Sequence, residues 1–317
     1  MLSCVVLSAC SEKPATPSAE DKTASANAMK DADNALNSGN TEAAEKAWRH
    51  AIELDPQNPA PYASIALDRW KRRQYTEAAR NYEEASKRDP KSTEYIFAEI
   101  ENLQTAGDQT RIEELARRAV SVEPENPKAL VYLGHYLAAL SDKPGALDEA
   151  RGHLEHATKL ASGMPIPFIE LGRLLLKQKE YSSAETYLQS AWEMLHRGQK
   201  PLRQLESMAI LEKRRAETAY TLARCATSKG DKAGAERWQA QFKAVDARIE
   251  KRSRLATLTE RNPPDLNALA ELAALDMETG GAMEAVDLVK RGLSLSPQDP
   301  KLLQLADKLQ RTKVEPD

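Results

Sequence analysis

Apolar and polar positions follow one another along this chain with a helical period. Tyr62, Ile65 and Ala66 fall on one stripe, and Ala78, Tyr82 and Ala85 on a second. Two such stripes predict two amphipathic helices, each with one face to bury. Pro90 then blocks continuation of the second helix. The same arrangement recurs. Ala51 to Pro56, Ala85 to Pro90 and Ala119 to Pro124 align, and their prolines are spaced by 34 residues (90 − 56 and 124 − 90).

Further copies extend the pattern in both directions. Ala32, Gly39, Ala44, Trp48 and Ala51 form an earlier unit; Ile96, Leu103, Gly107, Ile112 and Ala119 form the third. The fourth has Leu130, Leu133, Gly134 and Leu137, then an insertion around Lys143-Pro144-Gly145 before Ala150, Leu154 and Ala157. The fifth has Phe168, Leu171, Gly172, Tyr181, Ala184, Leu188 and Ala191, and a late unit has Leu269, Leu272, Ala273, Gly280, Ala285, Val289 and Pro297. A stretch from Pro300 to Lys313, with Leu302, Leu303, Leu305 and Leu309, reads as a capping helix. Residues 202–258 diverge and predict two helices longer than the rest, with Gly230-Asp231 as the turn.

This period and these small and large residues resemble the tetratricopeptide repeat (TPR). The resemblance covers residues 25–313 and implies an all-α fold: a right-handed α-solenoid of about six to seven helix-turn-helix units plus the C-terminal capping helix. It further implies that certain positions of each first helix line a concave, protein-binding groove. Those positions supply Leu67, Trp70, Phe97, Val131, His135, Ile169, Arg173 and Leu176. An apolar wall with scattered charges favours an amphipathic helix or an extended peptide, and Trp70, Phe97 and Arg173 are of the types that most often anchor interfaces. TPR domains that capture a C-terminal carboxylate use lysine and asparagine on this wall. The corresponding positions here are Met29, Asp33, Ser64, Glu94 and Ala98, so that clamp is not expected.

Composition narrows the function. Basic and acidic residues number 45 and 48, so no basic excess points to nucleic acid. Phosphate loops, nucleophile elbows and zinc-protease motifs do not occur, and no cofactor is expected. His153 and His156 lie three apart on one helix but without an evident third ligand, and read as a surface pair. Cys4, Cys10 and Cys225 suggest neither a disulfide framework nor a zinc site, and Cys225 reads as a small apolar residue on a helix. The expectation is a non-catalytic scaffold, with chemistry hidden in 202–258 as the enzymatic alternative.

The N-terminus adds a location. Residues 1–10 form a short apolar segment ending in Leu7-Ser8-Ala9-Cys10, which resembles a bacterial lipoprotein signal with Cys10 as the lipidated residue, although basic residues are missing from its start. Residues 11–24, rich in Ser, Ala, Thr, Pro and charge, read as a disordered tether. The resemblance implies a protein anchored by lipid in a bacterial envelope, facing the periplasm, with the outer membrane favoured. Such proteins help assemble larger complexes. A cytoplasmic scaffold with a spurious N-terminus is the other reading, and 202–258 is expected to form a bend or a homodimer contact.

Overall fold

A computed structural model describes residues 16–140, 143–196 and 207–311. These form fifteen α-helices, with no strand among the described residues. They fall in two compact units, 1–129 and 130–317. In the first are α1 (Ala19–Asn37), α2 (Thr41–Leu54), α3 (Ala60–Lys71), α4 (Tyr75–Arg88), α5 (Thr93–Ala106) and α6 (Ile112–Val122). α7 (Pro127–Ala139) straddles the boundary. The second unit continues with α8 (Ala146–Leu160), α9 (Pro165–Lys177), α10 (Tyr181–His196), α11 (Met208–Lys229), α12 (Lys232–Thr259), α13 (Leu266–Thr279), α14 (Ala282–Leu295) and α15 (Pro300–Arg311). Consecutive helices pair as hairpins, seven in all among the described residues, and α15 packs on the last through Leu302 and Leu309.

The α3–α4 hairpin closes on small residues. Ala66 on α3 and Ala78 on α4 are fully buried, and Tyr62 beside them carries the Arg88 guanidinium 3.8 Å above its ring. In the second unit the approach is tighter. A Cβ at Gly172 would lie 2.5 Å from the Leu188 side chain, and one at Gly134 would lie 2.6 Å from Leu154, so α9 and α7 meet their partners through bare backbone. Turns between hairpin helices require a left-handed residue. Glycine supplies it at Gly39 and Gly107, whereas Arg73 and Lys179 adopt φ of 60° and 65° at the matching turns, at a strain of about 1 kcal/mol each.

The first helix starts earlier than the sequence suggests. Residues 19–24, expected to belong to the tether, are helical. Ser18 and Asp21 form a reciprocal capping box, with Asp21 N–H donating to Ser18 Oγ at 3.1 Å and Ser18 N–H to the Asp21 carboxylate at 2.9 Å. Ser25 is buried and donates to the Ala51 carbonyl, fixing α1 to the end of α2. The segments 1–10 and 11–15, the end of the capping stretch at 312–313, and residues 202–206 of the divergent region lie outside the described residues.

α11 and α12 are the longest helices, at 22 and 28 residues. Gly230, left-handed at φ 79°, ends the first, and Asp231 caps the second by accepting from Gly234 N–H. A buried charge cluster holds them in place. Arg215 donates to the Leu195 carbonyl through Nε (3.0 Å) and Nη2 (2.6 Å), to the Thr279 carbonyl at 3.0 Å, and to Glu212. Glu212 also accepts from Arg248 at 3.0 Å, and Arg252 pairs with the fully buried Asp276 on α13. Every charge in this cluster meets its opposite, the condition under which buried ions are tolerated.

Glu99 on α5 is placed less well. It is 1% exposed, and neither carboxylate oxygen accepts a directed hydrogen bond, although Arg111 Nη2 stands 3.1 Å away. Burial pushes its carboxyl up to about 7, with Arg111 offsetting only part of the shift. In the unfolded chain the group ionises near 4.5, so stability should fall as pH rises from 4.5 through 7 and level off above, by up to about 3 kcal/mol. Glu99→Gln removes this dependence. Urea denaturation at acidic and alkaline pH should therefore find the variant gaining on the wild type as pH increases; a loss at alkaline pH would mean that the Arg111 pairing dominates.

Candidate functional site

The first helices of the hairpins present the residues expected to hold a partner, and the structure divides them. In the first unit, Leu67 and Trp70 on α3 are exposed, at 44% and 50%, and Leu36 on α1 is exposed as well. Leu36 and Trp70 occupy equivalent places one repeat apart (70 − 36 = 34). Phe97 on α5 does not belong to this surface: it is 5% exposed, and Lys128 Nζ lies 4.7 Å from its ring centroid. Lys128 also pairs with Glu101 at 3.0 Å, so a cation with its own partner covers the ring.

The second unit behaves the same way. Ile169 on α9 is 3% exposed, packed with Ala191 and Leu195 of α10 and against Leu211 of α11. Phe97 and Ile169 are both the fifth residue of their helix. In both cases the next first helix supplies the cover, Lys128 from α7 and Leu211 from α11. Val131 and Leu176 are half-buried, and His135 is exposed.

His135 belongs to a polar chain that crosses three first helices. Its Nδ1–H donates to Glu170 Oε2 at 2.8 Å. Arg173 donates from Nη1 to Glu170 Oε1 at 2.8 Å and from Nη2 to Glu217 on α11 at 3.2 Å. The hydrogen bond to Glu170 raises the His135 pKa against the opposing effects of burial and Arg173. Burial works to raise the Glu170 carboxyl, but the His135 hydrogen bond and the two neighbouring cations hold it below its ordinary value. Sequence reading singled out His135 and Arg173 but missed Glu170 and Glu217. Glu170 lies 35 residues beyond His135 (170 − 135), one repeat and one position on, and only the stacking of helices joins them.

The remaining sequence candidates have ordinary surroundings. His153 Nε2 stands 3.8 Å from Glu149 on its own helix. Cys225 is buried and its thiol donates to the Tyr181 carbonyl at 3.0 Å, and burial pushes its pKa up. Cys10 lies outside the described residues. Among the described residues no group of three or more His, Cys, Asp or Glu could hold a metal ion, and no helix is long and apolar enough to cross a membrane.

Family models of the tetratricopeptide repeat match residues 32–58 and 64–98. Residues 32–98 thus carry tetratricopeptide repeats. The chain's helix hairpins also superpose on solved structures. A tetratricopeptide repeat protein from Parabacteroides merdae shares 14% identity over 91% of this chain and 99% of its own, with a TM-score of 0.52. Pseudomonas aeruginosa pilF shares 19% over 71% of this chain and 93% of its own, at 0.50. A chain of the APC/C hetero-tetramer Cut9–Hcn1 shares 15% over 83% of this chain, at 0.51, and here the present chain spans only 44% of the other's length. At such identities the likeness is one of fold. No curated protein matches the sequence. Tetratricopeptide repeats in general act as scaffolds that bind other proteins.

The His135–Glu170 pair has a defined pH window. The folded pKa of His135 is raised above 6.5, so its contribution is complete below pH 6.5 and lost as pH rises through the folded value. The folded pKa of Glu170 is lowered below 4.5, so its contribution is present above pH 4.5 and lost as pH falls through the folded value. Both are in force between 4.5 and 6.5. Urea denaturation should show His135→Gln destabilised most inside that window, with the deficit shrinking toward alkaline pH. A deficit of constant size across the range would mean that the imidazole acts by packing alone.

Proposed function

We propose that this protein is a non-catalytic scaffold that holds an amphipathic helix or extended peptide against its first-helix faces and so helps assemble a larger complex. The observation that carries this reading is the exposure of Leu36, Leu67 and Trp70 on neighbouring first helices of the first unit. Large apolar side chains left in water at repeated positions are the mark of a surface meant to be covered. Trp70 supplies the ring that most often anchors such contacts. Half-buried Val131 and Leu176, with the His135–Glu170–Arg173 chain, form a second and more polar face in the second unit.

The double substitution Leu67→Ala/Trp70→Ala should leave helical content by circular dichroism unchanged and weaken crosslinked partner capture by at least about tenfold, the scale expected when an interface loses its anchor. Capture at wild-type strength would move the binding surface elsewhere on the chain.

We further infer that the scaffold works at a membrane of a bacterial envelope, held by lipid on Cys10. The support is the Leu7-Ser8-Ala9-Cys10 sequence, and a lipidated cysteine would leave the repeats in the aqueous space beside the bilayer. Metabolic labelling with an alkynyl fatty acid should mark the wild-type protein and not Cys10→Ser. An unlabelled wild type recovered in the soluble fraction would favour a scaffold free of the membrane.

A further inference from the structure

A groove in the second unit lies apart from the first-helix faces, between α10 and α12, the second helices of adjacent hairpins. It is an open depression of about 530 Å³. Two tryptophans form its floor. Trp238 is 8% exposed and packs on Leu188, Leu222 and Ala226. Trp192, half-buried, meets it edge to face with centroids 5.3 Å apart at 81°. His196 tilts against the Trp192 ring at 4.1 Å. The rim carries Gln189, Glu193, Arg237 and Gln241.

The chemistry of this lining is specific. Arg237 lies 5.3 Å from the Trp238 ring centroid. With the two glutamine amides it gives the rim three groups that donate hydrogen bonds. Burial holds His196 below its ordinary pKa, and its Nδ1–H donates to the Trp192 carbonyl at 2.7 Å, so it faces the groove as a neutral ring. The rim charges of Glu193 and Arg237 balance, which suits a ligand without net charge. An α-helix fits poorly here. Its carbonyls are already bonded within the helix, and two rings do not make a stripe several turns long. A polyproline II segment fits on each count. It has no internal hydrogen bonds, so its carbonyls are free to accept, and its pyrrolidine rings pack on aromatic faces at low entropic cost.

We propose that the α10–α12 groove binds an uncharged, proline-rich peptide in the polyproline II conformation. A proline ring lies against the exposed part of Trp192, which buried Trp238 backs, and the peptide carbonyls accept from Gln241 and Arg237. The site is independent of the first-helix faces and would let the scaffold hold two partners at once.

Fluorescein-labelled decaproline, titrated with the full chain and followed by anisotropy, tests this. Saturable binding in the micromolar to sub-millimolar range is expected. Trp192→Leu should weaken it by at least about tenfold, and Gln241→Ala by about threefold, the scale for an anchoring aromatic and one exposed hydrogen bond. Trp70→Ala should leave it unchanged, which separates this site from the first-helix faces. Gln241 is exposed, so its substitution can be read even if Trp192→Leu fails to fold. The proposal is overturned by absent saturation in the wild type, by equal binding in Gln241→Ala and Trp192→Leu, or by an N-acetylglucosamine tetramer competing more strongly than unlabelled decaproline, which would make the rings a saccharide platform.

Discussion

The close approach of two helices at a small residue is the contact on which this protein is built. Helices of eleven to sixteen residues, as most of these are, hold poorly by themselves in water. Each has to bury a stripe against a partner, and the stripe is useful only if the backbones come near. Ala66 with Ala78, Gly134 under Leu154 and Gly172 under Leu188 provide that approach. The glycines give up helix propensity of about 1 kcal/mol each to do so, a cost borne only where a methyl group has no room. Once the hairpin closes, the orientation of each first helix is set. What that helix exposes, whether Trp70 in the first unit or His135 in the second, then follows from its register.

This contact also explains what could be read from the residues. Small residues and prolines recur at fixed spacing, so the hairpins, their turns and the capping helix were all legible. The candidate surface was legible only in part. Counting positions along a helix places Phe97 and Ile169 beside Leu67 and Trp70, because the count treats every hairpin as having the same neighbour. Lys128 and Leu211 come from the following first helix, and their reach depends on side chains outside the repeat pattern. The links from His135 to Glu170 and from Arg173 to Glu217 are invisible for the same reason. Charged residues are frequent throughout, and only stacking selects which of them meet.

Buried charge marks the places where the repeat plan is bent to other ends. Glu99 sits in a hairpin of ordinary length, has one poorly directed cation beside it and carries a perturbed pKa. The cluster of Glu212, Arg215, Arg248, Arg252 and Asp276 joins the long α11–α12 hairpin to α13, and each of its three cations meets a carboxylate, Glu212 serving two of them. Length and charge go together there. Helices longer than the repeat overrun the small-residue contacts, and ion pairs take over where alanine and glycine stop.

Arg215 extends this further, since one guanidinium closes the carbonyl ends of two helices, α10 at Leu195 and α13 at Thr279, that lie 84 residues apart in sequence (279 − 195). Helix ends ordinarily fray independently, each on its own local balance. Here one guanidinium donates to both ends, so the last turns of α10 and α13 share a partner. In a repeat chain, cooperativity normally passes from neighbour to neighbour; this side chain links helix ends that are not consecutive in the repeat order.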